Sequence, residues 1–144
     1  MYVPVSILFS LIVALAMDMP LRGIGFFRTM FYLPVMTPMV VCALLFVWIY
    51  NTDFGVLNYI LSFFKIPAVR WLTDKRISLI SIALMSVWKH SGYNMLILLS
   101  ALQGIPESLY EAAALDGITP WRKLINIKLP LIMPSMYFVI LTSV

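Results

Sequence analysis

Residues 105–130 read Ile105-Pro-Glu-Ser-Leu-Tyr-Glu-Ala-Ala-Ala-Leu-Asp-Gly-Ile-Thr-Pro-Trp-Arg-Lys-Leu-Ile-Asn-Ile-Lys-Leu-Pro130. Three carboxylates (Glu107, Glu111, Asp116) and three cations (Arg122, Lys123, Lys128) gather here between long apolar runs. Local chemistry predicts a helix, a tight turn and a second helix. Pro106 suits a helix start, and Glu107 and Glu111 set negative charge near the positive end of the helix dipole. Ala112, Ala113 and Ala114 favour helix and add almost no bulk. Gly117 can take the left-handed conformation that ends a helix. Thr119-Pro120 then offers an N-cap and an N1 proline for a short helix carrying Trp121, Arg122 and Lys123. An alanine face with one protruding carboxylate suits docking on a partner. Helix chemistry alone fits an amphipathic helix resting on lipid headgroups equally well.

The flanking runs decide the class. Of 144 residues, 62% are hydrophobic and only 11% charged, against about 45–50% and ~25% in a soluble domain. That excess excludes a single soluble core and predicts an all-α, polytopic transmembrane helix bundle. The net charge of +4 comes from cations beside apolar spans, where basic residues anchor membrane segments; no nucleic-acid partner is expected. Cys42 is the only cysteine and cannot pair within the chain. Residues 1–17 lack the basic start and Ala-x-Ala site of a cleavable signal peptide.

About four spans are expected. Residues 1–17 are apolar apart from Ser6 and Ser10, at the short limit for a ~30 Å hydrocarbon core. A polar turn over 18–28 follows, broken by Pro20, Gly23 and Gly25. Residues 30–50 read as a second span bent by Pro34 and Pro38. In the connection 51–76, Asn58, Ser62 and Lys65 share one face of a short amphipathic helix expected on the membrane surface. Trp71, Lys75 and Arg76 read as interfacial anchors. Residues 77–104 form the third span and 130–144 begin a fourth, with the loop 105–128 between them. Alternation puts five Lys/Arg on the side of 18–28 and 105–128 and four on the side of 51–76, a split too even for charge to orient the chain.

The third span carries Trp88-Lys89-His90-Ser91-Gly92-Tyr93-Asn94 at its midpoint. The apolar pieces on either side are each too short to cross alone, so the cluster is expected at membrane depth. Ionisable residues there are functional candidates by default. Aromatic faces, amides and hydroxyls can hold a polar solute, so Trp88, His90, Ser91, Tyr93 and Asn94 are candidates for lining a substrate pathway. Packing between helices and anchoring at the interface are the other readings. At 3.6 residues per turn Trp88 and Ser91 share a face, as do His90 and Asn94; Lys89 points elsewhere, toward the interface or a partner helix. His90 has no second His, Cys or carboxylate nearby, so no metal is expected, and no catalytic set or cofactor either.

Reduced to a pattern, the loop is Glu111-Ala112-Ala113, three residues, Gly117, nine residues, Ile127, one residue, Leu129-Pro130. It resembles the EAA loop of binding-protein-dependent ABC import permeases at every spacing. Seven fixed positions at roughly 5–10% usage each would coincide by chance at on the order of 10⁻⁸ per starting point. Phe26-Phe27-Arg28, Phe31-Tyr32-Leu33-Pro34, Gly55-x-x-Asn58, Trp88 and Leu102-Gln103-x-Ile105-Pro106 resemble the carbohydrate-type branch. The resemblance implies a single permease domain over 1–144, shortened at both ends relative to its relatives. It also implies a bacterial inner-membrane location with 105–128 cytoplasmic. There the loop would seat in a cytoplasmic ABC ATPase subunit through Glu111, Ala112, Ala113, Asp116, Gly117 and Pro130. Further implied partners are a second permease subunit, an extracytoplasmic solute-binding protein and membrane lipids. No GxxxxGK[ST] phosphate loop occurs, so this chain is expected to be a pathway and not an enzyme. The function implied is import of sugars or related polyols. Alternatives are an importer for amino acids or peptides, or an ion-driven transporter using Lys89 and His90 as a proton relay.

Overall fold

The computed structural model describes residues 2–19 and 23–143, and all regular structure among them is helical. The chain runs α1 (Tyr2–Met17), α2 (Ile24–Met36), α3 (Met39–Ile49), α4 (Val56–Phe63), α5 (Ser78–Gln103), α6 (Glu107–Leu115) and α7 (Pro120–Lys123). A π-turn (Leu124–Lys128) then leads into α8 (Leu129–Ser143).

Met95, Leu98, Leu99 and Leu102 recur at i, i+3, i+4 and i+7 and are all but fully buried, which makes α5 the centre of the bundle. The helix has 26 residues, about 39 Å at 1.5 Å per residue. Its neighbours are α1, α2 and α8. Val13, Ala14 and Met17 of α1 and Ile132 and Val139 of α8 complete the core. In a hydrocarbon surrounding, apolar burial alone drives little association, and close packing of small residues carries more. Ser6, Ser10 and Ala14 supply it: they lie four apart on α1 and each is 0% exposed. Ser10 Oγ donates to Ser6 O at 2.7 Å and reaches Ser91 O of α5 at 3.2 Å. The two serines of the first apolar run are therefore its contact face. The outer faces are apolar and open, with Leu8, Val40, Leu79 and Leu141 each more than half exposed. Such faces fit lipid or another chain.

Residues 30–50 are not one gently bent span. They belong to two helices, α2 and α3, set at 104°. Thr37 takes φ −77, ψ 131, the extended conformation that a following proline imposes, and Pro38 starts the new helix without an N–H to join it to α2. Pro34 sits inside α2 without ending it. The turn before α2 is shorter than expected, because Gly23 adopts φ 87 and the helix begins at Ile24. Pro20 and Arg22 lie outside the described residues. Among those described, Pro120–Ser143 is the one helix long and apolar enough to cross a membrane by itself, and α2 with α3 qualifies only as a bent pair.

The expected break before the last span is absent. The segment α7, π-turn and α8 forms one helix of 24 residues. Pro130 lacks an N–H, and its ring would press on the carbonyl four residues back. The π-turn widens the helix just before it, with Leu129 N–H bonding to Leu124 O.

Asn58 also departs from expectation. It is 8% exposed and does not lie on a polar surface face. Its Nδ2 donates to Thr52 O (3.0 Å) and Val69 O (2.9 Å), while Oδ1 accepts from Val69 N (3.1 Å) and Trp71 Nε1 (3.0 Å). One amide thus ties both halves of the 51–76 connection. It leaves Tyr59, Ile60, Phe63 and Phe64 as the outward surface of α4.

Candidate functional site: an exposed elbow and a polar cleft

The elbow begins where Pro106 opens α6 with Glu107 in its first turn. It ends at Gly117, whose φ of 65 is left-handed. Gly117 N–H bonds to Ala114 O (3.2 Å) and Ile118 N–H to Ala113 O (3.0 Å), which satisfies two carbonyls that would otherwise end the helix unpaired. Thr119 is extended and Pro120 starts the next helix. Glu111, Ala112 and Asp116 are exposed, and Leu115 is 90% exposed. Ala113 turns inward at 3%, so the two alanines of the motif do different things: Ala112 presents surface and Ala113 seats the helix. Pro130 lies on a separate element, exposed at the start of α8.

An ion pair ties the elbow's base to the bundle. Lys128 Nζ at the end of the π-turn stands 2.6 Å from Asp18 Oδ2 just beyond α1, and 5.7 Å from the ring centre of Tyr110 on α6. Three elements meet at one ammonium. Burial raises the Tyr110 phenol above a tyrosine's usual 10.0, Lys128 pulls it back, and Asp18 adds a smaller upward push.

The cleft is about 470 Å³ and opens on the polar midpoint of α5. Lys89, His90, Tyr93 and Asn94 line it together with Ser86 and Ser143. His90 Nδ1 is 2.9 Å from Ser86 O. A carbonyl only accepts, so that nitrogen carries the hydrogen. Asn94 Nδ2 donates to Ser143 Oγ at 3.2 Å, joining α5 to α8. Of the predicted pathway residues, His90, Tyr93 and Asn94 therefore share one wall. Trp88 and Ser91 do not join them. Trp88 packs on Phe46 of α3, ring centres 5.3 Å apart, and Ser91 is 2% exposed against α1. Trp88 leans on α3 while staying 40% exposed, whereas Ser91 faces α1.

Two further residues of the cluster meet α2, Lys89 in one of the two directions expected of it and Gly92 in a role that spacing did not suggest. Lys89 Nζ donates to Thr37 O (2.6 Å) and Pro34 O (3.1 Å) at the α2–α3 break. Gly92 lets the α2 backbone touch α5: an added Cβ would lie 2.9 Å from Val35 Cγ2, 3.0 Å from Phe31 C and nearer still to Phe31 O. The signals were present as a lysine at membrane depth and a glycine in mid-helix, but the partner carbonyls are more than 50 residues away.

A helical bundle with a polar-centred middle helix and an outward, carboxylate-bearing elbow is an arrangement compatible with a membrane transport subunit. Residues 6–144 match the family described as "Binding-protein-dependent transport system inner membrane component", and the chain belongs to that family. It is 36% identical over 143 residues to the lactose transport system permease protein LacF of Rhizobium radiobacter, covering 98% of this chain and 48% of that protein. It is 40% identical over 124 residues to the galactooligosaccharides transport system permease protein GanP of Bacillus subtilis, covering 85% and 30%. The crystal structure of a bacterial ABC transporter involved in import of the acidic polysaccharide alginate superposes with a TM-score of 0.84 at 28% identity, over 91% of this chain and 46% of that one. The same kind of transporter, solved with an alginate pentasaccharide-bound periplasmic protein, gives a TM-score of 0.82 at 28% identity, over 94% and 49%. The chain spans about half the length of the curated relatives it matches, 48% for LacF.

Proposed function

We propose that this chain forms part of the translocation pathway of an ATP-driven importer for sugars or related polyols, with 105–128 on the cytoplasmic side. In this reading α6 seats in a cytoplasmic ATPase subunit. Glu111 meets a cation or amides there, Ala112 permits close approach, and Ala113, Asp116, Gly117 and Pro130 shape the elbow. ATP-driven closure of the ATPase pair moves the elbow, and the Asp18–Lys128 pair passes that motion to α1 and α8. A second permease subunit completes the pathway, and an extracytoplasmic binding protein delivers substrate on the 51–76 side. His90, Tyr93 and Asn94 contact the solute in the cleft, braced by Trp88 and Ser91. Each bound partner acts by preferring one of two arrangements of the helices.

The observation that carries this reading is the elbow: a short helix ended by Gly117 and anchored through Lys128, with its charged and apolar face left open. The relatives' names support the solute class, and the capture of Lys89 by two carbonyls argues against its use as a proton relay. Glu111→Lys tests the reading by reversing the charge of the exposed motif carboxylate beside Ala112. Capture of the ATPase by the membrane-inserted variant should fall at least about tenfold, a loss of ~1.4 kcal/mol, and transport should cease. Undiminished capture would refute docking through α6.

A further inference from the structure

The break between α2 and α3 leaves backbone carbonyls without helical partners. Pro38 supplies no N–H, so the last carbonyls of α2 point into the bend. Thr37 N–H returns to Pro34 O at a long 3.3 Å. Into this negative end of a helix dipole comes a cation from another helix: Lys89 Nζ lies 2.6 Å from Thr37 O and 3.1 Å from Pro34 O. The lysine is half-buried, and its side chain also forms part of the cleft wall beside Tyr93 and Asn94. Gly92, one turn further along α5, holds the two helix backbones in contact. The ammonium is thus a tethered cation in a nest of freed carbonyls. Where water is scarce, unpaired carbonyls are strongly disfavoured, so the bend and the lysine's position depend on one another.

We propose that Lys89 is a positioning residue that pins the α2–α3 bend and links it to occupancy of the cleft. With Nζ on the carbonyls, the bend is held. A ligand oxygen in the cleft competes for the same donors, and drawing Nζ toward it releases Pro34 O and Thr37 O and lets α3 swing relative to α2. The link follows from geometry, because Lys89, whose ammonium holds the carbonyls, also lines the cavity. The pin itself does not depend on the transport reading; only its connection to substrate rests on that reading.

The test uses the whole transporter reconstituted in bilayers, with spin labels at exposed Leu33 and Leu44 in a Cys42→Ala background. Lys89→Met keeps the length and removes the donors, while Lys89→Arg keeps charge and donors. The expected result is a label separation that shifts or broadens in Lys89→Met and returns in Lys89→Arg. Substrate stimulation of ATP hydrolysis should be lost in Lys89→Met and retained in Lys89→Arg. Should Lys89→Met fail to assemble, Lys89→Leu, which likewise carries no donor, is held to the same criteria. An unchanged separation in the neutral variant overturns the pin whatever the transport data show. A shifted separation with full substrate stimulation overturns the link to the cleft and leaves the transport reading untouched.

Discussion

Gly92→Ala adds a single methyl group where α5 touches α2. The new Cβ would stand 2.9 Å from Val35 Cγ2 and 3.0 Å from Phe31 C, whereas carbon atoms settle at about 3.5–4.0 Å. Because Phe31 contributes backbone, no side chain can rotate away, and α2 must retreat by on the order of 1 Å. That retreat would stretch the Lys89 contacts, now 2.6 and 3.1 Å, beyond hydrogen-bonding distance. Overpacking costs about 1–3 kcal/mol, and loosening a bond from a charged donor adds roughly 1.5–3 kcal/mol. A loss of about 2.5–6 kcal/mol in stability is therefore expected. Gly25→Ala is the control, since its Cβ would meet nothing within 4 Å. Denaturant melts of the detergent-solubilised transporter, followed by tryptophan fluorescence, would read the difference. Equal stability of the two alanine variants would refute the helix contact and the account of the pin built on it.

Asn58→Ala should free the 51–76 connection, because Val69 N–H and Trp71 Nε1–H lose their acceptor; a local loss of about 2–4 kcal/mol is expected. Limited proteolysis would show cleavage confined to that connection, with Asn58→Asp intermediate. Gly117→Ala meets no atom within 4 Å but must hold φ 65, a strain of about 1–2 kcal/mol. ATPase capture should weaken several-fold, and Gly117→Asn should retain more of it. The raised Tyr110 phenol predicts stability that is complete below pH 10.0, its ordinary value, and declines as pH rises through the folded value. Tyr110→Phe should remove that alkaline component in a pH series of thermal melts, and an unchanged alkaline limb would count against the buried phenol.

The elbow was legible because its signals are local. Proline at 106 and 120, alanines between them and glycine at 117 each bias the backbone of their own neighbourhood, and α6 and its turn follow from them. The helical class came from composition in the same way, since lengths of apolar chain need only their own backbone bonds to be satisfied. The bend at Thr37–Pro38 was half legible: proline announced a disturbance, but neither the 104° angle nor the α5 ammonium standing in the bend could be read from local residues. Asn58 and the serines of α1 were misread, or passed over, for a related reason. Their partners are distant carbonyls and helix faces, and a polar residue in an apolar run looks alike whether it faces water or a neighbour.

Sequence alone determined the helical class, where the charged elbow falls and to which family the residues belong. Tertiary structure alone decided which polar groups of α5 share a cleft, which ones brace other helices, and that Lys89 stands on the broken end of α2. Backbone propensity acts within a few residues, whereas the fate of a buried polar side chain depends on which distant group is left unpaired beside it.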